Sequence, residues 1–219
     1  MIMDDVAIID YGMSNLHSVQ AACSKVGLSS FITADVEKIM RAKIAILPGV
    51  GAFGEAMFHL TESKLNDCIL RFVQSGKPFI GICLGLQLLF DQSKEFGSHK
   101  GLGLIRGTVK KFQFNAGENN KYPVPQIGWN RIRQNNCSWE NTLLCKNQSD
   151  DFMYFVHSYY VKPEDENVIL ATTTYGDQEY CSAIRYNNIF ATQFHPEKSA
   201  IKGQLIYRQM LNVIKNKEK

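Results

Sequence analysis

Pro78-Phe79-Ile80-Gly81-Ile82-Cys83-Leu84-Gly85-Leu86-Gln87 is the stretch on which the reading of this chain turns. A short apolar run ends at a cysteine with a glycine two residues away on each side, and Leu84 to Asp91 follow with helical spacing. G-x-C-x-G between a strand and a helix is the cysteine form of a nucleophile elbow. The sharp turn forces its central residue into a strained conformation, and small flanking residues let the chain fold closely upon itself. It lifts the side chain clear of the sheet and sets it at a helix N-terminus, where the dipole favours a thiolate. The Leu84 N–H faces the same space and is a candidate oxyanion donor. Taken alone, the pattern fits equally a buried core cysteine, which is what most cysteines after apolar strands are.

Upstream, Val6-Ala7-Ile8-Ile9 and Ile44-Ala45-Ile46-Leu47 are two more short apolar runs, closed by Gly12-Met13-Ser14-Asn15 and by Pro48-Gly49-Val50-Gly51. Between the runs, Leu16 to Val26 reads as a helix stopped by Gly27, and Leu65 to Gln74 as a helix ending at Gly76. Apolar strands alternating with helices predict parallel strands covered on both faces, with functional groups gathered at the strand ends. After Gly103 the pattern changes. Val109 to Phe114, Ile127 to Ile132, Met153 to Val161, Val168 to Thr174, Cys181 to Tyr186 and Ile189 to Phe194 read as strands with turns between them. A last helix, about Gly203 to Asn216, carries a core-facing apolar stripe. The expected fold is α/β, an open, mostly parallel central sheet with flanking helices and added mixed or antiparallel strands in the second half. No repeat or linker divides residues 1–219, so one domain is expected.

Hydrophobic residues make up 45% and charged residues 21% of the chain, an ordinary globular composition that argues against disorder. The net charge of +3 and the lack of a long basic run give nucleic-acid binding no support. Acidic residues stand in Met1-Ile2-Met3-Asp4-Asp5 where a signal peptide carries positive ones, and no apolar run is long enough for a membrane span. Lys215 to Lys219 reads as a solvated tail. The six cysteines form no C-x-x-C pair and the histidines no metal-ligand spacing, so zinc and disulfides are not expected. A cytoplasmic protein with free thiols and no cofactor is expected.

A thiol nucleophile needs a base, and the base an orienting acceptor. Phe194-His195-Pro196-Glu197 supplies both on one segment after a strand. In extended chain, residues two apart face the same side, so His195 and Glu197 would face one site, with Pro196 favouring that conformation. Singly, His195 is as well explained as a satisfied structural histidine and Glu197 as a surface charge.

Gly81-Ile82-Cys83-Leu84-Gly85-Leu86-Gln87 together with Gln193-Phe194-His195-Pro196-Glu197 resembles the class I, triad-type glutamine amidotransferases. Asp10-Tyr11-Gly12-Met13-Ser14-Asn15-Leu16, Leu47-Pro48-Gly49-Val50-Gly51-Ala52-Phe53, Gly128-Trp129-Asn130, Tyr154-Phe155-Val156-His157-Ser158-Tyr159 and Lys198-Ser199 carry the likeness to the glutaminase subunits of imidazole glycerol phosphate synthases. The resemblance covers essentially the whole chain. It implies Cys83, His195 and Glu197 as the catalytic triad and ammonia delivery to a cyclase subunit with a (βα)₈ barrel fold, forming a heterodimer. The reaction it implies belongs to histidine biosynthesis and gives imidazole glycerol phosphate and an aminoimidazole carboxamide ribotide. By position, it implies substrate contacts at Gly49, Val50, Gly51, Leu84, Gln87, Ser158 and Tyr159, with the Pro48–Gly51 N–H groups completing an oxyanion hole once a peptide reorients. It implies partner contacts at Asn15, Trp129, Asn130 and Lys198.

Three departures stand out: Ser14 in place of a usual glycine, Gln126 where histidine is common, and Ala191-Thr192 ahead of Gln193. They resemble a paralogous branch supplying ammonia for amino-sugar synthesis in surface polysaccharide pathways. A cysteine hydrolase on the same fold is a further alternative; it would need Cys83 and His195 but neither Gln87 nor Gly128-Trp129-Asn130.

Overall fold

The computed structural model describes residues 5–13, 15–114 and 122–217. Ser14, most of the acidic start and the tip of the tail lie outside the described residues.

In chain order the elements are β1 (Val6–Ile9), α1 (Leu16–Lys25), β2 (Ser30–Thr33), α2 (Val36–Arg41), β3 (Ile44–Gly49), α3 (Phe53–Glu62), α4 (Leu65–Gln74), β4 (Phe79–Cys83), α5 (Leu84–Leu88), β5 (Phe90–Ser93), β6 (His99–Lys100) and β7 (Ile105–Lys111). Then come β8 (Gln126–Gln134), β9 (Asp151–His157), β10 (Tyr159–Pro163), β11 (Ile169–Tyr175), β12 (Gln178–Tyr186), β13 (Ile189–Thr192) and α6 (Ala200–Lys217).

The sheet runs β2-β1-β3-β4-β13 in parallel, then continues through β12-β10-β7-β5-β6 with mostly antiparallel pairing. The hairpin of β8 and β9 joins it through β11. The α/β sheet with a mixed second half is therefore as the sequence led us to expect. Side-chain alternation splits the core into two layers. Val6 and Ile8 pack with Val19 and Cys23 of α1 and Ile206 and Met210 of α6. Ala7 and Ile9 pack with Leu60, Ile69 and Phe72 on the other face. Each such fully buried aliphatic or aromatic side chain contributes about 1.5–3 kcal/mol. Among the described residues no helix is long and apolar enough to cross a membrane.

Several expectations need correction. The helix expected to run from Leu84 to Asp91 stops at Leu88. Its last carbonyls are taken by another part of the chain, Leu102 N–H bonding to Leu88 O and Leu104 N–H to Leu89 O, while Phe90–Ser93 pairs with β7. The run from Met153 to Val161 is two strands broken at Ser158, because β9 pairs with β8 whereas β10 pairs with β7 and β12. Helices α2 and α3 were not foreseen. The first is short and capped by Asp35, whose carboxylate accepts from Glu37 and Lys38 N–H groups at 2.9 and 3.2 Å. The second has its Phe53 N–H held at 2.7 Å by Glu95, a cap too distant in sequence to read.

Candidate active site

Cys83 ends β4 and begins α5, with φ 55° and ψ −105°, a conformation costly for any residue with a Cβ. The flanking glycines are required by contact. A Cβ on Gly85 would collide with the Leu47 carbonyl oxygen, and one on Gly81 would lie 2.9 Å from the Gly85 oxygen. Parallel pairing of Gly49 with Cys83 brings the end of β3 beside the elbow. There too a side chain is excluded, since a Cβ on Gly49 would meet the Tyr11 hydroxyl and the Leu84 Cβ. The dipole expected behind Cys83 comes from a helix of only five residues, so it is weaker than the longer helix would have given.

β13 lies directly beside β4 and delivers the second segment. Its strand ends at Thr192, and residues Pro196–Lys198 form a 3-10 turn rather than extended chain. His195 itself is extended, and the turn brings Glu197 back so that Oε1 lies 2.7 Å from His195 Nδ1. Both side chains are almost fully excluded from solvent. The other ring nitrogen, Nε2, closes no well-formed hydrogen bond among the described residues, but the Cys83 sulfur lies near enough to act on the ring, a loose geometry common in resting sites. Burial is the largest influence on His195 and opposes its charge. Cys83 and Glu197 together outweigh burial and lift its pKa from 6.5 to about 10. This corner is built to hold an imidazolium between the Glu197 carboxylate and the Cys83 sulfur.

The elbow opens on a cavity of about 240 Å³ lined by Val50, Gly51, Leu84, Gln87, Ser158 and Tyr159 among others. That is below the ~300 Å³ at which sites for drug-sized ligands begin, so it suits something as small as an amino acid. Gly49 does not line it and lies behind, against Tyr11. Gln87 Nε2 donates to the Tyr159 carbonyl at 2.9 Å and to Gln193 Oε1 at 3.2 Å. A larger hollow of about 780 Å³ sits at the opposite end of the parallel strands, near Phe79 and Ile189, away from Cys83.

Two residues that sequence reasoning missed stand in this site. Gln193, wholly buried, points Nε2 at the Cys83 sulfur from 3.6 Å, where a donor favours a thiolate. Its place two residues before His195, in the matched motif, was the available signal. Glu95 lines the cavity and is largely buried. Burial raises its pKa, against the pull of the Phe53 N–H and of His99 and Lys111. Nothing around Glu95 in the sequence marked it. Beneath the cavity, His157 Nδ1 bonds to the Tyr159 carbonyl at 2.9 Å, and Nε2 lies 3.3 Å from the Tyr180 hydroxyl, which in turn reaches Gln126. Burial drives the His157 pKa down to about 3, so the ring is neutral. Gln126, one of the departures, thus serves a buried polar chain.

The four candidate partner contacts do not all share a face. Trp129 is 52% exposed and meets Tyr154 edge-on at 6.1 Å, and exposed Lys198 lies 5.9 Å from the same Tyr154 ring. Asn130, next along β8, turns the other way and donates to the Thr174 carbonyl at 2.9 Å. Asn15 precedes α1 and accepts from the Ser18 hydroxyl at 2.8 Å. Among the described residues no group of His, Cys, Asp and Glu is placed to hold a metal.

The family model for glutamine amidotransferase class-I matches residues 7–211. Over 216 residues the chain is 43% identical to the imidazole glycerol phosphate synthase subunit HisH of Geobacillus thermodenitrificans, with 99% of each chain covered. It is 47% identical over 204 residues to the protein of the same name from Syntrophotalea carbinolica, covering 93% of this chain and 97% of that one. The HisH subunit of Bacillus subtilis is 42% identical, with 93% and 94% covered. A crystal structure of a glutamine amidotransferase superposes with TM-score 0.71 over 95% of this chain and 97% of that one; at 17% identity this likeness concerns the fold alone.

Proposed function

The chain belongs to the class I glutamine amidotransferases, and from that premise we propose that it is the glutaminase subunit of an imidazole glycerol phosphate synthase. The reading is supported by relatives of that name along nearly the whole chain, and above all by one contact: the 2.7 Å pairing of His195 and Glu197 beside Cys83 at the floor of an amino-acid-sized cavity.

In the proposed cycle Cys83 is the nucleophile, His195 the acid and base, and Glu197 the group that orients the ring. The proton of the thiol rests on His195 Nε2. The thiolate attacks the carboxamide carbon of glutamine, forming a C–S bond, and the carbonyl oxygen becomes an oxyanion. N–H groups of Leu84 and of the Val50 peptide receive that charge, each contributing about 3 kcal/mol. The imidazolium gives its proton to the departing nitrogen as the C–N bond breaks, releasing ammonia and leaving a glutamyl thioester. His195, now neutral, takes a proton from water, and the hydroxide displaces sulfur to give glutamate and restore the starting state.

Substrate recognition follows from the cavity wall. Glu95 is the anionic group suited to the ammonium of free glutamine. Gln87 and the Ser158–Tyr159 main chain bracket the substrate on the other side. A peptide-bound glutamine lacks that ammonium, which separates this reading from a peptidase. The partner is a (βα)₈-barrel cyclase docked on the Trp129, Tyr154 and Lys198 face, an exposed aromatic anchor beside a cation. The pair operates in the cytoplasm, a reducing compartment that keeps Cys83 free. Ammonia passed to the cyclase gives imidazole glycerol phosphate and the aminoimidazole carboxamide ribotide of histidine biosynthesis.

The test is to mix the purified chain with the cyclase subunit and its ribonucleotide substrate and to measure glutamate and imidazole glycerol phosphate together. Equal amounts of the two are expected. Glutamate without imidazole glycerol phosphate would remove the pathway assignment, and absence of glutamate the activity itself.

A further inference from the structure

Tyr207, in the middle of α6, is wholly buried, and its hydroxyl has no hydrogen-bond partner among the described residues. Oε2 of Glu197, the oxygen that His195 does not use, is also buried without a partner. Leaving a buried polar group unsatisfied costs about 1–3 kcal/mol, and more for a charged one. Other buried polar atoms also lack partners, but these two, on segments packed together, call for a common explanation.

They belong to segments that pack against each other, and the charge of Glu197 is felt at Tyr207. The first turn of α6 presses on the 3-10 turn that carries Glu197, so closely that a Cβ on Gly203 would collide with the Pro196 carbonyl oxygen. Tyr207 is one helical turn beyond Gly203 on the same face of α6. It shares its core layer with Phe194, directly before His195, and with Cys23 of α1. Burial foremost, then the negative charge of Glu197, holds the Tyr207 pKa well above its ordinary value, so the phenol keeps its proton and is a donor. Burial pushes the Cys23 thiol up to about 12, which leaves it neutral and a weak acceptor. The carboxylate is the stronger partner.

We propose that Tyr207 is a positioning residue for the active site: its hydroxyl is linked to Glu197 Oε2 across one bridging water, and this link fixes the carboxylate while Oε1 orients His195. The inference rests on the glutaminase reading of Cys83, His195 and Glu197. With both oxygens engaged, the carboxylate plane cannot rotate away from the imidazole during the two proton transfers.

The experiment compares the full chain with Tyr207→Phe, which keeps the ring and its packing, in the wild-type background and in Glu197→Ala. Glutaminase kinetics are measured with the partner present, and the His195 Nδ1–H proton resonance is followed in the lone chain. The expected result is a roughly 3- to 10-fold loss of kcat with KM for glutamine unchanged, no further loss in Glu197→Ala, and a shift of the resonance. An unchanged kcat with a raised melting temperature, as when a truly orphaned hydroxyl is deleted, would overturn the proposal. So would an equal fold-loss in the two backgrounds. If the wild-type chain hydrolyses no glutamine, the glutaminase reading fails while the resonance still reports the Tyr207–Glu197 link. If it is active and the substitution moves neither rate nor resonance, the Tyr207 inference alone falls.

Discussion

His195 Nδ1 and Glu197 Oε1 lie 2.7 Å apart although only Pro196 separates the two residues, because the chain leaves its extended path and closes a 3-10 turn there. The turn, rather than strand alternation, aims the carboxylate back at the ring.

The first consequence concerns charge at that contact. Glu197→Gln keeps the shape and removes the negative partner. Proton transfer by a well-placed base supplies roughly 10²- to 10⁴-fold in rate. The expected outcome is a kcat reduced within that range and a KM for glutamine changed little, read from steady-state kinetics. By ¹⁵N NMR the His195 pKa should fall below its value of about 10.

Glu95 is expected to act on binding rather than on chemistry. Glu95→Gln retains an acceptor for the Phe53 N–H, which holds the start of α3, but loses the charge that faces an ammonium. A charge-assisted hydrogen bond is worth about 1.5–3 kcal/mol, so KM for glutamine should rise by about ten- to a hundredfold with kcat nearly kept. Isothermal titration with the Cys83→Ala protein measures the same loss without turnover.

How much of this was legible beforehand divides along one line. Cys83, His195, Glu197 and Gln87 stand in short motifs that name the residues, though not the 3-10 turn that pairs His195 with Glu197, and the parallel half of the sheet follows from apolar runs ending at glycines. Glu95, the Gln193–Cys83 contact and the cap on α3 depend on residues brought together from far along the chain, which no local pattern records. The shortened α5 belongs with them: Leu84 to Asp91 has helical spacing, but tertiary pairing of Phe90–Ser93 with β7 overrode it. Asn130 was placed with Trp129 by the family resemblance alone; that its side chain turns to the Thr174 carbonyl depends on the pairing of the strands, which the sequence does not record.

Acid stability should report the neutral His157. Its pKa is about 3 in the folded chain against an ordinary 6.5, so between those values the unfolded chain binds the extra proton. Stability from this group is complete above pH 6.5 and is lost as pH falls towards 3, at up to about 1.4 kcal/mol per unit. His195, with its raised pKa, titrates with the opposite sign near pH 6.5, where only the unfolded ring loses its proton, and is charged in both states at lower pH. Glu95 titrates with the opposite sign, so a comparison of variants is the readout. Urea midpoints from pH 7 to pH 4 should fall less steeply for His157→Asn, which retains a donor for the Tyr159 carbonyl.

Gly85→Ala probes the elbow itself. Its Cβ would run into the Leu47 carbonyl oxygen, which belongs to β3 and cannot swing aside. A loss of more than about 3 kcal/mol is expected by chemical denaturation, among the largest effects of a single methyl group. Gly27→Ala, where nothing lies within 4 Å, should cost only the strain of its φ of +80°, about 1 kcal/mol.

The most direct test of the central claim is chemical. The chain is treated with a glutamine analogue bearing a diazo ketone in place of the carboxamide, and the labelled peptide is identified by mass spectrometry. The account requires a single adduct, on Cys83, forming in step with loss of glutaminase activity and suppressed by excess glutamine. Labelling of Cys23, Cys68, Cys137, Cys145 or Cys181 in its place, or full labelling of Cys83 with glutamine hydrolysis intact, would contradict it.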